Sequence, residues 1–217
     1  MAVPLGRELL EKPISTPLNA RRQPPTTTDG SRGLEWLWQH ISDLRPPCFL
    51  DCGETHPPTL KILLSRATKV YVASLVPWLA GDHPELWDRS QRTPVFRLPQ
   101  LLGRFPEIPF ESLAAVFCWQ LLDLVPPEAQ AGLVERLLAF LRPGGALFCL
   151  VREPALVLGA GVTWNLESLT SLIRHDHAAV PFAYPPLTNR QMEKLAGKGD
   201  VKTFLTRSGI REVLILK

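Results

Sequence analysis

The chain has 217 residues, of which 45% are hydrophobic and 21% are charged. This composition is typical of one globular domain and excludes a fibrous or wholly disordered protein. The 24 basic and 21 acidic residues leave a net charge of only +3, so charge does not point to nucleic acid or an anionic membrane as a partner. The longest apolar runs are too short to span a bilayer, and the N-terminus lacks the pattern of a signal or transit peptide. We therefore expect a cytoplasmic protein.

Cysteine and histidine spacing predicts no metal site. The adjacent residues His175, Asp176 and His177 point in different directions on any regular element and lack a second pair of ligands nearby, so we interpret them as a solvated helix end. The four cysteines fall within apolar runs without CxxC pairing, which predicts buried, reduced thiols. These cysteines are Cys48, Cys52, Cys118 and Cys149.

The N-terminal 30 residues differ from the rest of the chain. Residues 1–30 mix Pro, Thr, Arg and Gly with little periodicity, which predicts a Pro-rich tail that is flexible or docks on a partner. From Leu34 to Leu44 apolar residues recur at helical spacing, with Asp29 or Ser31 as the N-cap. The remaining residues, 31–217, are assigned to one domain that opens with this helix.

Strand and helix patterns then alternate along the chain. Strands are predicted at 48–52, 69–74 and 94–98, and helices at 59–66 and 77–87. Residues 113–119 show no polar alternation, which predicts a strand buried on both faces, as in a parallel sheet covered by helices.

The second half continues this alternation and ends differently. A helix is predicted from Pro127 to Leu141, and a buried strand at 146–151 follows its Pro-Gly-Gly stop. Residues 154–187 are interpreted as an irregular insertion with one helix at 166–173.

After the insertion, Thr188 and Gln191 form a capping box at the head of another helix. Strands at 201–206 and 211–216 flank Ser208-Gly209 and predict a closing antiparallel hairpin. Together the elements predict an α/β fold: a doubly wound, mostly parallel sheet with helices on both faces.

Three local sequences resemble the class I S-adenosylmethionine-dependent methyltransferase family, over residues 34–217. Residues 137–147, which read LLAFLRPGGAL, look like the family's helix, its L-[KR]-P-G-G turn and its fifth strand. Residues 113–124 are similar to its fourth strand, and the closing strand at 211–214 also fits. The resemblance implies a Rossmann-like methyltransferase fold. A nicotinamide-binding Rossmann domain would instead need G-x-G-x-x-G after the first strand, where Gly53 stands alone.

The resemblance is weakest where the family binds its cofactor. There the first strand ends in D-x-G-x-G; Asp51 and Gly53 match, but Thr55 replaces the second glycine and Pro57-Pro58 removes two N–H donors. The family's second strand ends in an acid that accepts hydrogen bonds from the ribose, and Ser74 stands in its place. The acid of the fourth-strand F-D-x-V motif is replaced by Ala114. We therefore expect the binding of S-adenosylmethionine to be weakened or lost.

Several residues at this edge of the predicted sheet have two interpretations. Asp51 either contacts a ligand or caps the following helix. Glu54 could replace the ribose acid if its loop folds back, and is otherwise solvated. Trp119 either lines the cleft that would hold a ligand or packs in the core. His56 could act as a general base, although nothing nearby in sequence orients it. The candidate cofactor-binding residues are Asp51, Gly53, Glu54, Ser74 and Trp119, and no catalytic residue is assigned.

Two functions follow from these observations. The preferred one is a pseudoenzyme: a degenerate methyltransferase fold that serves as a non-catalytic interaction or assembly subunit through its tail and apolar surfaces around Trp78, Trp87 and Trp164. It predicts a protein partner. The alternative is an active S-adenosylmethionine-dependent methyltransferase of unknown acceptor, acting mainly by orienting donor and acceptor.

Overall fold

The computed structural model describes residues 26–81, 83–90, 92–153, 162–176, 183–206 and 209–217. Its strands are β1 (Thr26–Gly30), β2 (Cys48–Asp51), β3 (Lys69–Val72), β4 (Trp87–Asp88), β5 (Val95–Phe96), β6 (Leu113–Trp119), β7 (Leu141–Arg152), β8 (Val162–Leu166), β9 (Ser171–Asp176), β10 (Asp200–Leu205) and β11 (Ile210–Leu216). Its helices are α1 (Arg32–His40), α2 (Pro57–Leu64), α3 (Leu75–Leu79), α4 (Leu98–Leu102), α5 (Leu121–Leu124), α6 (Pro127–Phe140) and α7 (Asn189–Ala196), with a 3₁₀ turn at Pro84–Leu86.

A six-stranded sheet in the order β10-β11-β7-β6-β2-β3 forms the centre of the domain. The pairs β2/β3, β2/β6 and β6/β7 are parallel, whereas β11 runs antiparallel to both β7 and β10. The predicted fold class, a mostly parallel doubly wound sheet closed by an antiparallel hairpin, is confirmed. Ser208 in the predicted turn lies outside the described residues.

Alternate residues of the central strands face two separate apolar cores. Leu50 and Val116 point to the core that contains the inner faces of α3 to α7. Phe49 and Phe117 point to the opposite core, which contains Leu34 of α1, Leu63 of α2 and parts of β8 and β9. Because side chains alternate along a strand, a run that is apolar at every position fills both cores.

Local capping signals place two of the helices as predicted. The Ser31 hydroxyl accepts a hydrogen bond from the Leu34 N–H at 3.0 Å, so Ser31 is the N-cap of α1. Thr188 and Gln191 form the expected capping box of α7. Helix α6 begins with Pro127 and ends at Phe140, close to its predicted bounds.

No helix within the described part of the chain is both long and apolar enough to cross a membrane.

The helix predicted at 166–173 is wrong, because this segment forms the turn and arms of the β8–β9 hairpin. Leu166 pairs with Leu172, and both are buried in the core beside α1 and α2. Helical spacing of apolar residues also fits two short strands joined by a tight turn, so periodicity could not separate the two. Residues 154–161 and 177–182 of the predicted insertion lie outside the described residues.

Residues 26–30, the last five residues of the predicted tail, form strand β1. This strand pairs antiparallel with β9, from Thr26 opposite His175 to Gly30 opposite Ser171. A partner strand satisfies the backbone groups of this polar segment without burying much apolar surface, and β-branched threonine suits a strand. Residues 1–25 lie outside the described residues, so the tail remains a prediction there.

The segment between β3 and β6 also differs from prediction. The strand expected at 94–98 is reduced to β5, which pairs with β4 in a separate two-stranded sheet and does not join the central one. The helix expected at 77–87 is divided into α3 and the 3₁₀ turn. Pro84 lies inside the predicted helix and lacks the N–H that would continue it, so the chain starts again there as the 3₁₀ turn.

Candidate functional site

The candidate site lies where the parallel strands β2, β3 and β6 end. Asp51 and Trp119 are the last residues of their strands, and Ser74 follows β3 by two residues. Backbone hydrogen bonds hold these ends together, since Ala73 donates to the Asp51 carbonyl at 2.9 Å and Cys52 donates to the Phe117 carbonyl at 3.0 Å. Open α/β sheets bind ligands at this edge.

Asp51 is fully buried; one of its carboxylate oxygens is hydrogen-bonded inside the protein, and the other, Oδ2, is buried without a hydrogen-bond partner among the described residues. One oxygen, Oδ1, accepts hydrogen bonds from the Gly53 N–H at 2.9 Å and from the Trp119 indole N–H at 2.6 Å. Burial raises the pKa of Asp51 to about 6, and these two hydrogen bonds partly oppose the rise. Asp51 does not cap helix α2: His56 occupies that N-cap, and no side chain caps it.

Trp119 packs in the core rather than lining an open cleft. Its side chain is 2% exposed, and its ring meets Phe148 edge-to-face at 6.4 Å and lies 6.1 Å from Phe117. The backbone of Trp119 has φ +53°, a left-handed conformation that is uncommon for a bulky residue. Such outliers cluster at functional sites. The Trp119 side chain does pack in the core, and its contact with a ligand stays a prediction.

The Trp119 indole occupies the space over Gly53. A methyl group added to Gly53 would lie 2.6 Å from the indole Nε1, 2.8 Å from Cδ1 and 3.1 Å from Asp51 Oδ1. The resemblance to methyltransferases implies that a glycine at this position lets the backbone approach a ligand. In this chain the closely approaching group is the protein's own tryptophan.

The other cofactor-binding candidates are Ser74 and Glu54, which lie beside the two prolines that begin α2. The Ser74 hydroxyl is paired with that of Thr55 at 3.1 Å, so no acid faces a ribose from the end of β3. Glu54 is exposed. Pro57 and Pro58 begin α2 and offer no N–H at its start. At these positions the structure has a paired serine hydroxyl, an exposed glutamate and a helix start without N–H donors at its first two residues.

His56 has a partner that the sequence did not reveal. Its Nδ1 lies 3.1 Å from the Thr59 hydroxyl, which also accepts a hydrogen bond from the Leu166 N–H at 3.0 Å. The ring of His175 is 6.2 Å away, and burial together with this neighbour lowers the pKa of His56. His175 belongs to strand β9, so the interpretation as a solvated helix end is wrong for it; His177 lies outside the described residues. Only the hairpin fold brings these histidines together.

The four cysteines are all free thiols, as predicted. Cys118 and Cys149 lie on the neighbouring strands β6 and β7, and Cys52 directly follows β2. These three are fully buried, and burial raises the pKa of the Cys52 thiol, whereas Cys48 is only partly buried. Within the described ranges, no group of three or more His, Cys, Asp or Glu side chains is arranged to hold a metal ion.

No protein-family model and no curated protein matches the chain. Several solved structures do match the chain. The 1,6-didemethyltoxoflavin-N1-methyltransferase of Burkholderia thailandensis, solved with 1,6-didemethyltoxoflavin and S-adenosylhomocysteine, is 16% identical over 84% of this chain and 74% of that chain, with a TM-score of 0.45. The CcbJ methyltransferase of Streptomyces caelestis is 12% identical over 85% of this chain and 94% of that chain, with a TM-score of 0.44.

A third match is a methyltransferase from Methanosarcina mazei, 12% identical over 80% of this chain and 93% of that chain, with a TM-score of 0.38. All three TM-scores lie below 0.5, so the fold class of this chain rests on its own strand order, β10-β11-β7-β6-β2-β3, and these matches carry no argument about its function.

Proposed function

We propose that this chain is a non-catalytic methyltransferase-fold protein whose former cofactor cleft is closed by its own side chains and which works as an interaction or assembly subunit. The observation that supports the proposal is the Trp119 indole, which covers Gly53 and donates to Asp51. The expected cytoplasmic location is part of the same proposal.

The closed arrangement would be costly to open. A ligand entering over Gly53 would have to displace a tryptophan that is 2% exposed and would break its hydrogen bond to a buried carboxylate. Losing the packing of a buried tryptophan costs about 3–5 kcal/mol. An opening cost of about 3 kcal/mol alone weakens binding by about a hundredfold. The missing ribose acid adds to this, so we expect no useful affinity for S-adenosylmethionine.

The apolar surface that favours a protein partner is centred on Phe110. This side chain is 65% exposed and stacks on Phe140 with ring centroids 6.1 Å apart, while the Arg136 guanidinium lies 5.9 Å from both rings. Aromatic and arginine side chains held in place beforehand are typical anchors of protein interfaces. The expectation for Trp164 is wrong, because it is 4% exposed and packs in the core.

Trp78 and Trp87 are only partly available to a partner. Trp78 is half-buried, with the His83 ring 4.3 Å from its own and the Arg104 guanidinium 4.7 Å above it. Trp87 packs edge-to-face on Phe96 at 5.3 Å. Phe110 is therefore the anchor that we test.

The cofactor part of the proposal is tested by thermal unfolding with and without 2 mM S-adenosylhomocysteine, and again with S-adenosylmethionine. We expect no change in Tm. A ligand present at about 100 times its Kd would add about 2.7 kcal/mol and raise the Tm of a domain of this size by roughly 5–10 °C. Such a rise, if abolished by Asp51→Asn, would overturn the proposal and favour the active methyltransferase.

The partner part is tested by purifying the tagged full chain from its own cells and comparing variants. We expect a partner to copurify with the wild-type chain in stoichiometric amount, and we expect the Phe110→Ser variant to lose it. The matched control is Leu64→Ser, which removes an apolar side chain of similar exposure, 55%, from the end of α2 and should keep the partner. Recovery of the chain alone as a monomer, or equal loss in both variants, would contradict the role of Phe110.

A further inference from the structure

The outer edge of the central sheet, formed by β10, has no partner strand in the described part of the chain. Strand β10 is the first in the strand order and pairs only with β11. Strand β1 lies across a cavity of about 380 Å³ from the Leu205 end of β10 and does not pair with it. An unpaired edge presents free N–H and C=O groups to another chain. This edge contains neither Phe110 nor any residue of the closed cleft, so a role for it goes beyond the proposed function.

The register of the β10–β11 hairpin determines which backbone groups of β10 point outward. The Thr206 N–H donates to the Ile210 carbonyl at 3.2 Å, and the same register continues residue by residue through β10. In an antiparallel ladder, hydrogen-bonded pairs alternate with non-hydrogen-bonded pairs. The even-numbered residues of β10 therefore bond to β11. The N–H and C=O groups of Val201, Thr203 and Leu205 point away from the sheet.

An exposed apolar side chain lies on this edge. Leu205 is 71% exposed, the highest value among the large apolar side chains of the described residues. Val201 is on the same face of the strand, since side chains alternate, and it packs half-buried against the core of α3 to α7. The opposite edge of the sheet, β3, has four residues, and none of its apolar side chains is exposed. The β10 edge is therefore the one that favours a further strand.

Lys202 is the basic residue in the middle of β10, where an edge strand can use a charge to prevent pairing. Its Nζ lies 5.1 Å from the centroid of the Trp36 ring of α1. The charge is therefore held over the helix that packs on this face of the sheet and does not project beyond the edge. Lys202 does not protect β10 from pairing.

Strand β10 is complementary to a second copy of itself. Antiparallel pairing with Thr203 opposite Thr203 of the second copy places each Leu205 opposite Val201 of the other copy. All three outward-facing residues then exchange both N–H···O bonds with one another. A shift of two residues either way places Leu205 opposite Gly199 or Thr203, and larger shifts shorten the ladder. The register centred on Thr203 therefore pairs every outward-facing residue and covers the exposed leucine with an apolar side chain.

We propose that two copies of this chain pair antiparallel through β10, about a two-fold axis at Thr203. The same residues of both copies form this interface, as two-fold symmetry requires. The two central sheets become one continuous sheet across the axis. On the face towards α1, Lys202 of one copy lies opposite Phe204 of the other, so this register sets no like charges directly opposite one another.

The oligomeric state is measured by sedimentation velocity of the full chain over a series of concentrations. We expect a species of twice the chain mass of 24.2 kDa. Thr203→Pro should sediment as a monomer, because it removes an outward N–H while β10 keeps its bonds to β11, and edge strands tolerate proline at such positions. Leu205→Asp should raise the dimer Kd roughly a hundredfold, since each dimer buries the residue twice and one such burial contributes about tenfold.

Two further variants separate this interface from other apolar surfaces. Leu64→Ser, which removes a 55% exposed side chain at the end of α2, is the matched control and should remain a dimer. Phe110→Ser should also remain a dimer, so loss of the proposed protein partner and loss of the dimer are distinguished.

The register is tested by disulfide cross-linking with diamide, which does not depend on the proline variant folding. Thr203→Cys should form a covalent dimer on a non-reducing gel, because the Cα atoms of a hydrogen-bonded pair are about 5.5 Å apart, within disulfide range. Leu205→Cys is more exposed but faces Val201 of the second copy, so it should cross-link less. The wild type, with its own four cysteines, is the background control.

The proposal is overturned if the wild type is a monomer at every concentration. It is also overturned if Thr203→Pro and Leu205→Asp both dimerise as the wild type does, if Phe110→Ser alone abolishes the dimer, or if Leu205→Cys cross-links as readily as Thr203→Cys.

Discussion

The contact between Trp119 and Gly53 makes a quantitative prediction about Gly53→Ala. Gly53 is not among the glycines with positive φ, so alanine suits its backbone and any penalty comes from space alone. The added methyl would lie 2.6–3.1 Å from the Trp119 indole and the Asp51 carboxylate, all in buried positions. Overpacking of this kind costs about 1–3 kcal/mol.

Removing the indole should remove that penalty. Trp119→Ala alone should cost about 3–5 kcal/mol through the cavity that it leaves. In that background the Gly53 methyl has room, so the double variant should be more stable than the sum of the two single effects predicts. We expect a coupling of about 1–2 kcal/mol, within the range for residues in direct contact.

The assay is urea unfolding followed by far-UV circular dichroism for the wild type, both single variants and the double variant. The matched control is Gly103→Ala, because a methyl there would meet its nearest atoms at ordinary distances of 3.4 and 3.7 Å, and it should be nearly neutral. If Gly53→Ala is as mild as Gly103→Ala, or if its cost is unchanged beside Trp119→Ala, the indole does not lie over Gly53 and the closed cleft is refuted.

Two further predictions concern stability. Burial raises the pKa of both Asp51 and Asp123 from 3.8 to about 6. As pH falls, the folded state therefore binds these two protons before the unfolded state does. The free energy of unfolding should increase as pH falls from about 6 to 4, by about 3 kcal/mol per carboxyl. Asp51→Asn should reduce that slope by about one proton, measured by urea unfolding across this range; an unchanged slope would contradict the burial of Asp51. Thr188→Ala should lower stability by about 1 kcal/mol through loss of the α7 cap, whereas a neutral effect in thermal unfolding would show that α7 does not depend on it.

Local sequence was sufficient wherever neighbours in the chain decide the structure. An unbroken apolar run specifies β6, because only a strand covered on both faces buries every position. Proline at the start and the Pro-Gly-Gly segment at the end fix the bounds of α6, and Thr188 with Gln191 fix the start of α7. The same reasoning placed Asp51 at the carboxyl edge of the sheet, since it follows directly from where β2 ends.

Tertiary structure determined which residues from distant parts of the chain contact one another. Whether Trp119 faces a cleft or covers Gly53 depends on one left-handed φ and a hydrogen bond to Asp51 across the strand ends, and neither leaves a periodic pattern in sequence. Strand β1 exists because β9 supplies its hydrogen bonds, and Glu212 meets the start of α1 only once the sheet has formed. Patterns of polarity record which positions are buried, but the partner that each buried group meets is set by the packing of elements far apart in the chain.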